Sequence, residues 1–424
     1  MSCSTDNIGA SRDRLKILFI CDYYGENMGA IGVCIKKLTN CLDKRDYEIY
    51  VVSRKRRDEK KEEITKNVFI YRYSNGVYNN LISYARNKQN TIIGKIVFLM
   101  TRLMGIRLIV FLPLFPIRDP LLLRRCCRIT QKLHREIGFD IVIGAYNPIE
   151  AVLAASKIKK KHNTRVCTYF LDTLSDEPPY RFLSREFINK QGRKYEEMIF
   201  RSSDLILNML CHEKNFLQID YNKYREKMKT VDFPLLEKHK TNYLYNNERI
   251  SKDSISAVYT GIVRISLMQY IIEVFEEVNN VKIHIYSSSI LPNMHSNILV
   301  VHGEVSHDEA LVAQNNADVL VCMGNKDSAY VPSKIFEYMS TGKKIIHFCY
   351  NDKDSCIGYF SRYRNALVVN LENSVEENTL QIRRFIEEEA DIIPFDELKD
   401  TFPLNLPSYT VDVILDALVD KTSK

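Results

Sequence analysis

Short apolar runs alternate with longer amphipathic stretches along most of the chain. Lys16–Cys21 (KILFIC) predicts a buried strand, Asp22–Gly32 a polar loop carrying Gly29 and Gly32, and Val33–Leu42 a helix. Glu48–Ser53 and Asn67–Tyr73 predict two more strands, separated by a charged run at Arg54–Glu63 that reads as solvated. Phe139–Gly144 and Arg165–Leu171 predict strands flanking a helix at Pro148–Lys160. A long polar helix at Arg185–Arg201 then leads into the strand Asp204–Leu207. Strands that alternate with helices are βαβ units, and these build parallel sheets.

The pattern restarts after Glu237–Lys252, a polar stretch rich in Asn, Tyr and Lys. Strands are expected at Ile255–Gly261, Lys282–Tyr286, Ile298–Val301, Asp318–Cys322 and Lys344–Phe348. Helices are expected at Met268–Val278, Asp308–Asn315 and from Ser333 to Thr341, the last closed by Gly342. The whole reads as two doubly wound α/β units. Residues 1–14 form a disordered tail, 15–236 the first domain, 237–252 a linker, 253–405 the second domain, and 406–424 a helix returning to the first.

One segment departs from this alternation. Ile92–Ile117 is strongly apolar but contains Lys95, Arg102 and Arg107, and its longest uncharged run, Leu108–Ile117, has ten residues. A membrane span needs about 20. The segment is therefore either a helix pair packed on the first domain or an interfacial helix with its cations at lipid headgroups.

Composition sharpens this picture in two places. The 424 residues are 45% hydrophobic and 27% charged, which excludes a disordered chain and a polytopic membrane protein. Residues 1–250 carry 45 Lys and Arg against 28 Asp and Glu, whereas residues 251–424 carry 15 against 25. A basic half joined to an acidic half fits an anionic partner for the first domain and argues against a protein that coats nucleic acid. The 11 cysteines show no C-x-x-C pair, so reduced thiols are expected, and Met1–Arg14 lacks the apolar core of a signal peptide. Both point to a cytoplasmic protein.

The strongest chemical signal is Val331-Pro332-Ser333-Lys334-Ile335-Phe336-Glu337-Tyr338-Met339. Pro332 and Ser333 stand where a loop becomes a helix, so the first amides, Ser333 to Ile335, face whatever lies ahead, beside a lysine. Such an arrangement suits a diphosphate. Glu337 lies one turn further in on the same face, where it would repel phosphate unless it accepts hydrogen bonds from sugar hydroxyls.

The runs VPSKIFEYMSTGKKII, HGEVSHDEALVAQNNADVLV and VYTGIVR resemble the nucleotide-sugar domain of GT-B glycosyltransferases, nearest the GT4-like retaining group of bacterial surface polysaccharide synthesis. KILFICDYYGENMGAIGVCIKKLTNCL looks like that family's first strand, glycine loop and helix, and FDIVIGAYNPIEAVLAASKIKKK with RVCTYFLDTLSD like its later acceptor-domain strands. The resemblance spans residues 15–420 in order, with its specific motifs within 255–348. It implies an α/β GT-B fold, with two Rossmann-like doubly wound domains facing a central cleft. It further implies transfer of a sugar, with retention, from a UDP- or GDP-sugar to a lipid-linked saccharide.

Site residues follow from the same resemblance. Glu337 matches the second Glu of the family's E-x7-E motif, which holds the ribose; Ala329 stands at the first, and Asp327 is the nearest acid. Pro332, Ser333 and Lys334 fall at the diphosphate. Gly261 and Arg264 lie in the loop where a cation neutralises the leaving group, but Ser266-Leu267-Met268 replaces the lysine that usually follows, a gap Lys326 or Lys334 could fill. Val305 falls near the base, Gly29 near the donor phosphates, and Asp172 where an acidic residue faces the sugar. No cofactor beyond the donor is implied. A metal is not expected either, because the only D-x-D spacing near the motif, Asp352-Lys353-Asp354, reads as a solvated turn. Two alternatives stay open: a non-catalytic GT-B-like scaffold, favoured by Ala329, and a nucleotide-sugar 2-epimerase. The loop after the first strand lacks G-x-G-x-x-G, which argues against a dinucleotide oxidoreductase.

Overall fold

The computed structural model describes residues 14–25, 29–45, 47–56, 59–88, 91–109, 112–162, 164–175, 183–238, 250, 253–289, 295–326 and 331–419. The chain divides into two compact units, Met1–Val231 with Thr410–Lys424, and Asp232–Tyr409. Most of the expected linker 237–252 and all but one residue of the expected tail 1–14 lie outside the described residues.

The first unit is built on eight strands: β1 (Lys16–Ile20), β2 (Glu48–Arg54), β3 (Glu62–Thr65), β4 (Val68–Tyr73), β5 (Ile141–Tyr146), β6 (Arg165–Phe170), β7 (Leu205–Met209) and β8 (Met228–Val231). Their order is β3-β4-β2-β1-β5-β6-β7-β8. Apart from β3 every strand pairs parallel, with Ile17 level with Ile49 on one side and Ile141 on the other. The residues of β1, β5 and β7 are almost all buried, because helices cover both faces; this is why these strands read as continuous apolar runs rather than alternating ones.

Three features differ from expectation. The charged run at Arg54–Glu63 is not all loop: Glu62 and Glu63, still exposed, open the edge strand β3, antiparallel to β4, and Glu63 meets the buried Arg72 at 2.8 Å. The first helix starts at Ala30, three residues ahead of the expected Val33. A helix at Pro120–Ile137 was not expected from the pattern; Asp119 caps it by accepting from the amides of Leu121 and Leu122 at 3.0 Å, and Gly138 ends it at φ 72°.

The second unit has six parallel strands: β9 (Ile255–Thr260), β10 (Val281–Tyr286), β11 (Leu299–Gly303), β12 (Val319–Met323), β13 (Lys344–Cys349) and β14 (Ala366–Asn370). Their order, β11-β10-β9-β12-β13-β14, reverses direction between β9 and β12. In a sheet of this kind ligands bind beyond the carboxyl ends of the strands at that reversal. β9 and β12 pair at only two positions, Ala257 with Val319 and Val258 with Leu320, and then separate, which opens the sheet where the loops after both strands emerge. The apolar core beneath gathers Leu267, Ile271, Phe275, Ile283, Val321, Ile346 and Phe348.

Candidate functional site

The separation of β9 from β12 leaves Thr260 without a ladder partner on that side. Its N–H donates instead to the hydroxyl of the fully buried Tyr338, at 2.8 Å, and the Thr260 hydroxyl lies 3.1 Å from the same oxygen. Gln314, also fully buried, donates from Nε2 to Thr260 Oγ1 at 3.0 Å and to Glu337 Oε1 at 2.5 Å. Lys334 Nζ reaches the same Glu337 oxygen at 2.6 Å. Thr260, Gln314, Lys334, Glu337 and Tyr338 thus form one polar group at the reversal point.

The electrostatics of Glu337 follow from this group. Burial by itself would raise its carboxyl, but the Lys334 charge and the hydrogen bonds from Lys334 and Gln314 outweigh it and hold the group below the usual carboxylate range. Among the described residues both partners bind Oε1, and the Glu337 side chain keeps 22% of its exposure. A charged carboxylate with one oxygen engaged in this way can accept donors from a ligand at the other.

Sequence had placed bare amides at Ser333, Lys334 and Ile335. The structure corrects this in part: the Ile335 N–H donates to the Pro332 carbonyl at 3.2 Å, and the Ser333 side chain makes no capping bond. The helix, Lys334–Met339, has only six residues, so its dipole is small and the charge of Lys334 is the larger local field. Lys334 is committed to Glu337 rather than projecting alone.

Arg264 sits at the N-cap of the helix Ile265–Glu276. Its guanidinium donates to the carbonyls of Met323 (3.2 Å) and Gly324 and to the Asn325 side chain, so it braces the loop leaving β12. Gly261, three residues earlier, has φ 140°, a conformation that L side chains rarely adopt. The turn is pinned by Tyr259, whose hydroxyl donates to the Ile262 carbonyl at 2.6 Å, and by Ser289, which accepts from the Val263 amide at 2.9 Å. Val305 is half-buried just ahead of Ser306, which with Glu309 forms a capping box for the helix His307–Asn316. Lys326 lies over the Tyr350 ring at 5.9 Å. Asp327 and Ala329 lie outside the described residues.

The reading of Asp352–Asp354 as a solvated turn fails at one residue. Asp352 and Lys353 are exposed, but Asp354 is buried, 3.3 Å from the ring of the fully buried His347. An open depression of about 600 Å³ lined by Asp253, Asn280, Asp318 and Lys343 lies at the opposite, amino ends of the strands, away from these groups.

Gly29 and Asp172 belong to the other unit. Gly29 is the N-cap of the helix Ala30–Asp43, and a Cβ there would meet no atom within 4 Å, so the space around it is open. Asp172 follows β6, 3.7 Å from His212. Burial would lower the His212 pKa, but Asp172 and Cys211 outweigh it and raise it to about 10. The loop carrying Asp172 is held by the buried Glu196, which accepts from the amides of Leu174 (2.8 Å) and Ser175 (3.0 Å) and from the Tyr221 hydroxyl (2.5 Å).

Sequence reasoning missed Thr260, Gln314, Tyr338, Glu196 and His212. Tyr338 and Thr260 sit inside the quoted motifs but read as core and strand; Gln314 and Glu196 read as polar faces of helices. His212 carried no spacing signal toward Asp172, 40 residues away.

No protein-family model matches the chain, and no curated protein matches it by sequence. Solved structures do. The catalytic domain of starch synthase IV from Arabidopsis thaliana, bound to ADP and acarbose, aligns at TM-score 0.56 and 8% identity over 96% of this chain and 100% of its own. The lipopolysaccharide outer core galactosyltransferase WaaB aligns at 0.52 and 14% identity, over 95% and 99%. UDP-GlcNAc 2-epimerase from Methanocaldococcus jannaschii aligns at 0.55 and 11% identity, over 95% and 99%. At such identities the likeness is one of architecture: the chain has the GT-B fold, with two Rossmann-like α/β units.

Proposed function

We propose that this protein is a retaining glycosyltransferase of GT4-like type, moving a sugar from a UDP- or GDP-sugar to a lipid-linked saccharide acceptor in surface polysaccharide synthesis. The observation that carries the reading is the polar group at the sheet reversal of the second unit. There Glu337, kept ionised by Lys334 and Gln314, stands ready for paired hydroxyls such as those of a ribose. The solved structures it resembles include a galactosyltransferase, a starch synthase domain bound to ADP and a UDP-GlcNAc 2-epimerase.

In the transfer, the anomeric carbon gains positive character while charge collects on the departing diphosphate. Fixed positive charge at that diphosphate is then the main catalytic contribution, since it needs no reorganisation during the reaction. Arg264 supplies it through the loop it braces; Lys334 supplies it from the start of the helix, with the amides of Ser333 and Lys334 beside it. Pro332 borders this region, Gly261 gives the backbone room, and Val305 meets the base; Asp327, outside the described residues, is assigned to the sugar by the resemblance alone. In the first unit, Gly29 and Asp172 are assigned to the donor phosphates and the sugar by the resemblance, and Asp172 lies 3.7 Å from His212. No cofactor or metal takes part at the diphosphate in this scheme.

The acceptor assignment rests on the first unit. The helix Ile92–Ile109 leaves Ile92, Ile93, Ile96, Phe98, Leu99 and Met100 between 47% and 79% exposed, and residues 64–135 contain thirteen Lys and Arg but one acidic residue, Asp119. No described helix is long and apolar enough to cross a membrane. An apolar, cationic face suits the surface of an anionic bilayer at the cytoplasmic side, where lipid-linked saccharides are presented.

Titration calorimetry with UDP, GDP and ADP tests the reading. Glu337→Ala should weaken the preferred nucleotide about 10- to 100-fold, the worth of hydrogen bonds to a charged group. Equal binding by wild type and variant would remove Glu337 from the site. A second reading, epimerisation of the nucleotide sugar, is favoured by the Asp172–His212 pair, an acid–base couple of the sort such chemistry needs. Incubating the donor without acceptor separates the two, because an epimerase alone would change the sugar's stereochemistry while leaving it attached or releasing it as the epimer.

A further inference from the structure

Below the loop that Arg264 braces, β13 ends at His347, Phe348 and Cys349, and the chain turns through Asn351–Asp354 to Cys356. His347, Asp354 and Cys356 are all buried, with 0%, 5% and 0% exposure. One ligand atom from each, a ring nitrogen, a carboxylate oxygen and the thiol sulfur, lie within 4.8 Å of one another. Asp354 Oδ1 accepts the Cys356 amide at 2.8 Å, which turns Oδ2 toward His347 Nε2 at 3.3 Å. Yet neither ring nitrogen of His347, nor Asp354 Oδ2, makes a hydrogen bond of proper alignment. A buried imidazole with both nitrogens unsatisfied is destabilising, so this cluster is built for something that satisfies it.

We propose that His347 Nε2, Asp354 Oδ2 and the Cys356 thiolate bind one divalent transition-metal ion, best matched by zinc. Nitrogen, carboxylate oxygen and sulfur are the donors zinc selects, and tetrahedral coordination at about 2.0–2.3 Å separates neighbouring donor atoms by about 3.3–3.7 Å. The nitrogen–oxygen edge already has that length. Binding breaks the Cys356 S–H bond, releases its proton to water and forms the metal–sulfur bond; no redox change is involved. A dication stabilises the thiolate it binds. A water takes the fourth position.

The ion would act as a structural clamp. Gly324 lies directly over the cluster: a Cβ there would come within 2.4 Å of Asp354 Oδ2 and 2.9 Å of the Phe348 carbonyl. Fixing Asp354 therefore fixes the floor under the loop whose other side is held by Arg264. This inference stands independently of which ligand the loop binds.

The full chain, purified without chelator, should carry about one equivalent of zinc by elemental analysis. Exchange with cobalt(II) should produce a thiolate-to-cobalt charge-transfer band in the near ultraviolet, which Cys356→Ser abolishes and Asp354→Asn shifts. Should Cys356→Ser fail to fold, X-ray absorption of the zinc-loaded wild type decides, with sulfur expected in the first shell at about 2.3 Å. A wild-type protein that neither retains metal nor develops the cobalt band overturns the proposal. So does a sulfur-free shell, or a band that survives Cys356→Ser.

Discussion

Thr260 has its N–H where the neighbouring strand has already turned away, and the Tyr338 hydroxyl takes the place of the missing carbonyl. Substituting Tyr338→Phe removes that partner while keeping the ring, and leaves a buried donor unpaired. We expect a loss of about 1–3 kcal/mol in urea unfolding, larger than a surface Tyr→Phe change would give. A second residue-scale consequence concerns His212. Its folded pKa, about 10, lies above the ordinary imidazole value. The pair therefore stabilises the fold fully below about pH 6.5, and that contribution is lost as pH rises through 10. Asp172→Asn should bring the His212 midpoint down by NMR titration; an unmoved midpoint would mean that Asp172 does not set it. For Glu337 the sign is opposite: its depressed pKa gives a contribution present above the ordinary carboxylate range and lost only in stronger acid.

At the scale of elements, the helix Ile92–Ile109 is the least explained by packing within its own unit. It packs against the helix Val77–Asn87 and buries Thr101, while Ile92, Ile93, Ile96, Phe98, Leu99 and Met100 are exposed. Because these residues are exposed, replacing Ile93, Ile96 and Leu99 by Ser should leave the unfolding midpoint within about 0.5 kcal/mol of wild type. Co-sedimentation with vesicles containing anionic lipid should fall about tenfold or more, and wild-type binding should weaken with salt. Vesicle binding that ignores the triple substitution would dismiss this helix as the contact.

At the scale of the molecule, the last residues complete the first unit rather than trailing from the second. Val411, Ile414 and Leu418 of the helix Pro407–Leu418 are buried, and Asp412 pairs with Arg45 at 2.5 Å. Removing residues 410–424 should cost about 4–8 kcal/mol by lost apolar burial, read as a lowered midpoint for the first unit's unfolding transition. An unchanged first transition would refute that account of the terminal helix.

Much of this was legible in the chain itself. The strands covered on both faces had to be apolar throughout, so β1, β2, β6, β9, β10, β12 and β13 stood out as runs, and the helix Arg185–Arg201 was read to the residue. Elements escaped where that requirement relaxes: the edge strand β3 is exposed and charged, β8 and β14 are partly exposed, and the helix Pro120–Ile137 hides its buried Leu122, Cys126, Thr130 and Leu133 among arginines. Glu337 and Lys334 share a helical face by spacing alone, so their pairing was fixed by a separation of three residues. What brought Gln314 to Glu337, His212 to Asp172, and His347 to Asp354 was folding. These partners are separated in sequence, and a side chain's polar needs do not record which distant element will meet them. Sequence periodicity determines which faces are buried; only the packed sheet, with β9 and β12 parting after two pairs, decides which buried polar groups converge.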